Sequence, residues 1–333
     1  MKVCVYGAGA IGGNLAVQLM SLPAIEVSVV ARGAHLDAIR ARGLKLVTPS
    51  EERVAFPAAA TDNPEELPPQ DIVFITLKAH ALVAIGPRIA RLLKPDGHAV
   101  FVTNGLPWWW HHGLPGVPRN MALVDPDSSL WTGLGASRSL GCTVYSMNEV
   151  TGPGEIYHRG NNSWIMGEPD NQMSGRLEKT VGLLRRAGLA AEASSDIRLN
   201  VLTKLLRNAA LNPICALTRL DVQQVAGRAD LVRLSRCLTE EAANTALAMG
   251  WDLSACLETE AQALQNGGAI RGDKVMGTKP SMLQDVLASR PTEVDAILGE
   301  LQQFARDHGV ATPTIDHVYA LLKGLDASMR QLA

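Results

Sequence analysis

One segment of the chain places a lysine and two asparagines on a single helical face. Lys204, Asn208 and Asn212 are spaced four residues apart, so they stack on one side of a predicted helix that is otherwise rich in leucine and alanine. A lysine ammonium can supply a proton and a positive partner where negative charge develops on oxygen. A solvated polar stripe is the alternative, although such stripes normally carry Glu, Lys or Arg rather than asparagines. Pro213 predicts that the helix kinks or breaks after Asn212.

The N-terminus carries a second pattern that could do chemistry, a glycine-rich turn between a short apolar strand and a helical pattern. Gly7 permits a tight turn, Gly9 lets the backbone approach a pyrophosphate, and Gly12 lets the helix pack close to the strand. The start of that helix then offers free N–H groups and the positive end of its dipole to phosphates. We therefore predict a dinucleotide site formed by Gly7, Ala8, Gly9, Ala10, Ile11 and Gly12.

The next strand indicates which dinucleotide is bound. It covers residues 26–31 and is followed by Arg32, which lies 20 residues beyond Gly12. NAD-binding units keep an Asp or Glu near this point for the ribose 2′-hydroxyl, whereas a basic residue pairs with the 2′-phosphate of NADP. The end of the strand has no carboxylate, because Glu26 stands at its other end. A solvated charge at a strand end is the alternative, and NADP is the prediction.

The first half of the chain alternates strands with helices. The pattern predicts a helix near 34–41, an extended segment at 44–48, a turn-rich stretch to residue 69, a buried strand at 71–77, a helix near 81–93 and a strand at 98–103. Such alternation favours an α/β fold with a parallel, doubly wound sheet of the Rossmann type. Ligands bind beyond the carboxyl ends of its strands. The residues predicted at those ends are Gly7, Arg32, Lys78 and Asn104.

The second half is predicted to be helical. Short extended pieces at 141–145, 154–158 and 162–166 precede a helix near 174–187, and strand patterns then cease. Helical patterns follow at 196–217, 230–249, 252–265, 281–289 and 291–308. We therefore expect a dinucleotide-binding domain at 1–194 and an all-helical substrate and catalytic domain at 195–333.

Composition excludes several classes of function. The 31 Lys and Arg residues against 33 Asp and Glu residues give a net charge of -2, so the chain has no polybasic surface for nucleic acid. No uncharged stretch has membrane-spanning length. The five cysteines are scattered, which fits reduced thiols in the cytoplasm. The sequence leaves the oligomeric state open, with a homodimer among the alternatives.

Further motifs lead to a family. They are Thr76-Leu77-Lys78-Ala79, Asn104-Gly105, Lys204-Leu205 with Asn208 and Asn212-Pro213, and Ser281-Met282-Leu283-Gln284-Asp285 followed by Thr292-Glu293-Val294-Asp295. With these motifs and the opening glycines, the chain resembles the ketopantoate reductase (2-dehydropantoate 2-reductase) family nearly end to end. The resemblance implies NADPH-dependent reduction of a 2-keto acid, most simply 2-dehydropantoate to (R)-pantoate in pantothenate biosynthesis.

The resemblance also implies residue roles. Lys204 would be the general acid, with Glu293 beside it as a second catalytic residue. The substrate would contact Asn208, Asn212, Ser281 and Asn104. The cofactor would contact the glycine loop, Arg32, Lys78, Asn104 and Glu293. From the residues alone, Ser281 begins a Ser-x-x-Gln capping box and Glu293 stands in a first helical turn, where acidic residues are favoured anyway.

One segment departs from the family pattern. Where a second glycine commonly follows Asn104-Gly105, this chain has Trp108, Trp109 and Trp110, then His111 and His112. The tryptophans form either a pocket wall, for a larger or more apolar hydroxy acid, or a hydrophobic plug or subunit contact. Adjacent histidines without Cys or carboxylate partners do not indicate a metal. The tryptophan segment keeps a related hydroxy-acid dehydrogenase as an alternative to 2-dehydropantoate reduction. A non-catalytic NADP-binding sensor is the second alternative.

Overall fold

The chain forms two compact units. The computed structural model describes residues 1–116, 121–265 and 279–331. One unit comprises Met1–Thr103 and Pro107–Asn200, and the other comprises Asn104–Leu106 and Val201–Ala333. The segment Asn104–Leu106 thus belongs to the second unit although the chain on both sides of it belongs to the first. The boundary expected at 194 and 195 would have kept this segment with the first unit.

The first unit is built on one sheet of ten strands. The strands are β1 (Lys2–Tyr6), β2 (Glu26–Val30), β3 (Leu44–Val47), β4 (Glu52–Ala55), β5 (Ala59–Thr61), β6 (Gln70–Ile75), β7 (Leu93–Phe101), β8 (Ser139–Gly152), β9 (Glu155–Gly167) and β10 (Ala190–Ala193). Their order is β4-β3-β9-β8-β7-β6-β1-β2-β5, with β10 beside β9. The run from β7 to β5 is parallel throughout, which confirms the predicted fold. Val, Ile and Phe side chains of β1 and β6 are fully buried in it.

Two antiparallel pairs extend this parallel sheet. The longer is the hairpin of β8 and β9, which the sequence divided into three short pieces. The register shifts around Met147, and Gly160 and Asn161 have positive φ angles, so a bulge interrupts the alternation without ending the strand. The other pair is β3 with β4. Both β4 and β5 lie in a stretch predicted to consist of turns, so that prediction was wrong there.

Five helices accompany the sheet in the described part of the first unit: α1 (Ala10–Met20), α2 (Gly33–Arg42), α3 (Gly86–Leu92), α4 (Ser129–Gly133) and α5 (Gly175–Arg186). Only the part Gly86–Leu92 of the helix predicted at 81–93 is α-helical. Two single 3₁₀ turns, Ala79–Ala81 and Val83–Ile85, precede the short α3. Pro87 lies at the start of α3, where its fixed φ is compatible with a new helix, whereas its missing N–H disfavours a helix that continues from the preceding turns.

The second unit is helical in its described residues. Its helices are α6 (Ile197–Thr218, of which the residues up to Asn200 belong to the first unit), α7 (Val222–Ala226), α8 (Ala229–Ala248), α9 (Ser254–Gln265), α10 (Ser281–Leu287), a π-helix (Asp295–Gly299), α11 (Glu300–Asp307) and α12 (Pro313–Gln331). Helix α6 continues through Pro213, so of the predicted kink or break, the break does not occur. One lost backbone bond is outweighed here because Ala209, Ala210 and Ile214 around it are buried. Helix α12 was not predicted. No helix of the described ranges has the length and apolar character needed to span a membrane.

Candidate active site

The glycine turn after β1 has the geometry that a pyrophosphate requires. Gly7 has a φ of +107°, a conformation that side chains rarely adopt. A Cβ on Gly12 would lie 1.9 Å from the Gly7 carbonyl oxygen, so only glycine allows this close approach of α1 to the loop. A Cβ on Gly9 would meet nothing within 4 Å. Gly9 is also the N-cap of α1 and makes no side-chain cap, which leaves the helix N-terminus accessible to a ligand.

Thr76 fixes the same loop from the end of β6. Its hydroxyl Oγ1 donates to the Gly7 carbonyl over 2.5 Å. A Cβ on Gly12 would lie 2.3 Å from this Thr76 hydroxyl oxygen. Lys78 follows two residues later as the cap of the 3₁₀ turn at Ala79–Ala81, half-buried. The glycine loop and Lys78 therefore lie at the carboxyl ends of parallel strands, as predicted.

Arg32 is exposed at the start of α2, directly after β2. The first turn of α2 contains no acidic residue, so no carboxylate of this turn opposes an anion there. The neighbouring Tyr6, at the end of β1, is buried, and burial raises the pKa of its hydroxyl against the lowering influence of Arg88 and Arg32. Two guanidinium groups thus act on this end of the sheet, and only Arg32 was singled out from the sequence.

Asn104 and Glu293 lie together in the second unit, 189 residues apart in sequence. The Asn104 amide Nδ2 donates to Oε2 of Glu293 over 3.0 Å. The backbone beside Asn104 is equally fixed: the Leu106 N–H donates to the Ala296 carbonyl over 2.8 Å, and Gly105 has a φ of +82°. A Cβ on Gly105 would lie 2.3 Å from the same carbonyl oxygen, so this loop fits against the π-helix only with glycine at that position.

Glu293 is buried, with 5% of its surface exposed. It precedes the π-helix, in which Asp295 is the first residue, and so it is not in a first helical turn as the sequence indicated. The preceding Thr292 is anchored on α12, since its N–H and hydroxyl both donate to the Asp326 carboxylate, over 3.2 and 3.0 Å. A π-helix is rare and often marks a functional site, and here it begins two residues after a buried carboxylate.

The polar face predicted on α6 lies on one continuous helix. Lys204 and Asn208 are half-buried, and Asn212 is 5% exposed. A solvated stripe would be exposed along its length, so the burial of these side chains does not fit that alternative. Ser281 is half-buried in the first turn of α10, whose N-cap is Pro280 without a side-chain cap bond. The capping box predicted for Ser281 is therefore absent, because the helix starts one residue too early for it.

Comparison with known proteins identifies the family. The family model described as ketopantoate reductase PanE/ApbA matches residues 3–171, and that of the ketopantoate reductase PanE/ApbA C terminal matches residues 196–326. The chain belongs to the ketopantoate reductase family. A 2-dehydropantoate 2-reductase of Mesorhizobium japonicum is 38% identical over 327 residues, which cover 98% of both chains. The prediction of an oxidoreductase of this family is thus confirmed.

Solved structures share the fold. That of a 2-dehydropantoate 2-reductase from Geobacter metallireducens has a TM-score of 0.82 at 24% identity, covering 97% of this chain and 99% of that chain. A ternary structure of D-mandelate dehydrogenase with NADH and anilino(oxo)acetate has a TM-score of 0.84 at 20% identity, covering 99% of this chain and 100% of that chain. At these identities the likeness concerns the fold alone.

The tryptophans that depart from the usual family pattern are packed inside the first unit. Trp108, Trp109 and Trp110 are each at most 2% exposed. The Trp108 ring meets Phe101 of β7 edge-on, with centroids 5.3 Å apart. Gly141 leaves room for the Trp109 ring, because a Cβ there would lie 2.4 Å from it. This arrangement corresponds to the hydrophobic plug among the sequence alternatives.

A buried arginine holds this tryptophan segment. The Arg198 guanidinium lies 5.9 and 5.7 Å from the ring centroids of Trp109 and Trp110, and its Nε donates to the Trp110 carbonyl over 2.8 Å. It also donates to the His112 carbonyl. Burial lowers the pKa of Arg198 to about 10. Sequence reasoning missed Arg198, Thr76 and Asp326; only Thr76, inside a family motif, left a signal that could have identified it.

Proposed function

We propose that this chain reduces 2-dehydropantoate to (R)-pantoate with NADPH, the step of pantothenate biosynthesis that the family carries out. One observation carries the proposal: the relative named for that reaction is 38% identical and matches 98% of the chain. The chain also keeps Lys204, Asn208 and Asn212 on one helical face. The half-buried amide of Asn104 and the buried carboxylate of Glu293 add a hydrogen-bonded pair to the same unit.

The cofactor site is inferred from the glycine loop. The open space over Gly9 and the uncapped start of α1 fit a pyrophosphate, which the helix N-terminus would stabilise. Arg32 would pair with a 2′-phosphate, and its exposed position after β2 supports NADPH over NADH. Lys78 would contact the nucleotide from the neighbouring strand end. When bound, NADPH supplies the hydride.

Lys204 is assigned the proton transfer. Reduction of a carbonyl builds negative charge on its oxygen, and the Lys204 ammonium would stabilise that charge and donate the proton. Asn208, Asn212 and Ser281 would hold the polar groups of the substrate. Glu293 can accept a hydrogen bond from a substrate hydroxyl or orient Lys204, and Asn104 fixes its carboxylate by the 3.0 Å hydrogen bond. Asn104 would thereby serve both the substrate and the cofactor side.

The tryptophan segment is the only basis for an alternative substrate. A larger, more apolar hydroxy acid requires these rings to line a pocket, whereas they pack on Phe101, Gly141 and Arg198 of the first unit. That packing removes the reason for preferring the alternative. A sensor without catalysis would not need a buried carboxylate bonded to an amide, or a lysine on a half-buried helical face.

A panel of 2-keto acids tests the proposal. We expect NADPH oxidation with 2-dehydropantoate at a kcat/KM at least tenfold above that with benzoylformate, pyruvate or 2-ketoisovalerate, because binding differences of about 1.4 kcal/mol already give that ratio. A preference for benzoylformate would support the apolar alternative. Nucleotide binding without turnover of any keto acid would support the sensor.

The cellular setting is part of the same proposal. The five cysteines all lie in the described ranges and form no disulfide there, which fits a reducing compartment. We place the reaction in the cytoplasm, and cell fractionation with an antibody against the chain would test this. Sedimentation velocity would decide between a monomer and the homodimer left open by the sequence.

A further inference from the structure

His35 connects the glycine loop to the β8–β9 turn. It lies in the first turn of α2, half-buried, three residues after Arg32. Its Nε2 is 2.7 Å from the Ala8 carbonyl oxygen, in the middle of the glycine loop. Its Nδ1 accepts a hydrogen bond from the Gly154 N–H over 2.9 Å. One imidazole ring thus bridges two backbone segments that lie more than 100 residues apart.

The two partners determine the state of the ring. A backbone N–H can only donate, so Nδ1 must present its lone pair to Gly154. A carbonyl oxygen can only accept, so Nε2 must carry the hydrogen that it donates to Ala8. His35 is therefore the neutral Nε2–H tautomer, with both ring nitrogens fully used by the backbone.

The bond to Ala8 determines where a neighbouring donor points. The peptide between Ala8 and Gly9 is trans, since the described chain contains no cis peptide. In a trans peptide the C=O and the N–H point in opposite directions. With its carbonyl held by His35, this peptide directs the Gly9 N–H to the other side, at the N-cap of α1 where a Cβ on Gly9 would meet nothing within 4 Å.

The other end of the bridge is firmly anchored. The Gly154 carbonyl accepts a hydrogen bond from the Lys45 N–H over 2.9 Å, so this residue is bonded through both of its polar groups. Gly154 has a φ of +77°, and a Cβ there would lie 3.1 Å from the Ala38 Cβ of α2. The hairpin also packs on α1, where a Cβ on Gly13 would lie 2.7 Å from Ile156. His35 therefore ties the Ala8 carbonyl, which follows the part of the loop that Thr76 fixes at Gly7, to a fixed turn.

We propose that His35 is a positioning residue for the cofactor pyrophosphate, holding the Ala8–Gly9 peptide so that the Gly9 N–H faces the phosphates. The proposal rests on the dinucleotide site of the proposed function and is independent of which nicotinamide nucleotide is preferred. Arg32 and His35 would have different roles: Arg32 would recognise the 2′-phosphate, and His35 would orient the Gly9 N–H towards the pyrophosphate, which NAD and NADP share.

Three variants separate the two bonds of His35. Asparagine places a polar group near Nδ1, so His35→Asn can keep the Gly154 bond but cannot reach Ala8. Glutamine places its amide near Nε2, so His35→Gln can keep the Ala8 bond and loses the bond to Gly154. His35→Leu removes both. His317→Gln is the matched control, because His317 is exposed on α12 in the other unit.

The readout is nucleotide binding measured by calorimetry, with thermal unfolding to verify that each variant folds. We expect His35→Leu and His35→Asn to weaken NADPH and NADH by the same factor, about tenfold for one lost hydrogen bond and a misdirected donor. His35→Gln should stay within about threefold of the wild type. Binding of 2′-AMP, which has the 2′-phosphate but no pyrophosphate, should be unchanged in all variants.

The outcomes keep the two proposals apart. Wild-type protein that binds neither NADPH nor NADH would overturn the cofactor site and the role of His35 together. Wild-type protein that binds NADPH, with a folded His35→Leu that binds it equally well, would overturn the role of His35 alone. Equal losses in His35→Asn and His35→Gln would show that the bond to Ala8 is not the one that matters, and would also contradict the proposal.

Discussion

Lys204 is the side chain on which the proposed chemistry depends most directly. Its place on one face of α6, one turn from Asn208, follows from spacing alone, whereas the half-burial of that face is known only from the structure. General acid catalysis typically contributes about 10²–10⁴-fold to the rate. We therefore expect Lys204→Ala to lower kcat by about this range while NADPH affinity, measured by calorimetry, stays near that of the wild type. Lys204→Arg should not restore activity, because a guanidinium gives up its proton poorly.

The control for the Lys204 variant is the same substitution at an exposed lysine of the other unit. Lys179 is exposed on α5, and Lys179→Ala should leave kcat unchanged. A Lys204→Ala enzyme that retains more than about a tenth of the wild-type kcat would remove Lys204 from the role of general acid. Lys78, at a strand end of the first unit, would then be the next candidate.

Arg32 carries the cofactor preference. A charge-assisted hydrogen bond to phosphate contributes about 1.5–3 kcal/mol, so Arg32→Ala should raise the KM for NADPH roughly 10- to 100-fold. The KM for NADH should barely change, because NADH has no 2′-phosphate. Steady-state kinetics with both cofactors measure this, with Arg186→Ala, exposed on α5, as the control. Equal use of NADH and NADPH by the wild type would contradict the assignment.

At the scale of elements, the sequence predicted what local pattern determines. Strand β1 and helix α1 follow from the glycines between them, and β6 follows from its continuous apolar run. Helix α12 was missed although Ile315, Val318 and Leu322 have helical spacing and are buried. The π-helix before α11 could not have been predicted, because no residue pattern separates it from an α-helix. The tertiary structure also shows that the Leu106 N–H donates a hydrogen bond to the Ala296 carbonyl in this helix.

The tryptophan segment is the clearest case in which the sequence left two alternatives. Burial of the Trp109 ring against Gly141 makes it part of the core, and truncation of a buried tryptophan typically costs about 3–5 kcal/mol. We expect Trp109→Ala to lower the free energy of unfolding by about that amount in urea denaturation and to leave the ranking of keto acids unchanged. Trp109→Phe should cost less. A reordered ranking with unchanged stability would instead show that the ring lines the substrate site.

Considering the whole molecule, the sequence could not predict that Asn104–Leu106 belongs to the helical unit. Asn104 follows a predicted strand, so the local pattern assigned it to the cofactor edge of the sheet. The hydrogen bond to Glu293 and the fit of Gly105 against Ala296 instead make it part of the helical unit. A contact between residues 189 positions apart leaves no periodic signal in the sequence. The family resemblance reflects the whole chain, and it is what predicted both Asn104 and Glu293 as site residues.

The stability of the first unit should depend on pH through His98. This histidine is buried in β7, where Nε2 lies 2.9 Å from the hydroxyl of Thr180, which itself donates to the Arg176 carbonyl and therefore accepts from His98. Burial, and to a lesser degree the charge of Arg176, lowers the pKa of His98 to about 4. In the unfolded chain the pKa returns to about 6.5, so between these values the unfolded state binds the proton more readily.

The sign of the pH effect follows from that difference. The contribution of His98 is fully present above about pH 6.5 and is lost progressively as the pH falls towards 4, by about 3 kcal/mol in total. We expect the midpoint of thermal unfolding to fall across this range in the wild type and to fall less in His98→Gln, which cannot be protonated but can still donate to Thr180. His80→Gln, at an exposed position, should keep the wild-type slope. Parallel slopes in wild type and His98→Gln would show that other groups control the acid sensitivity of this unit.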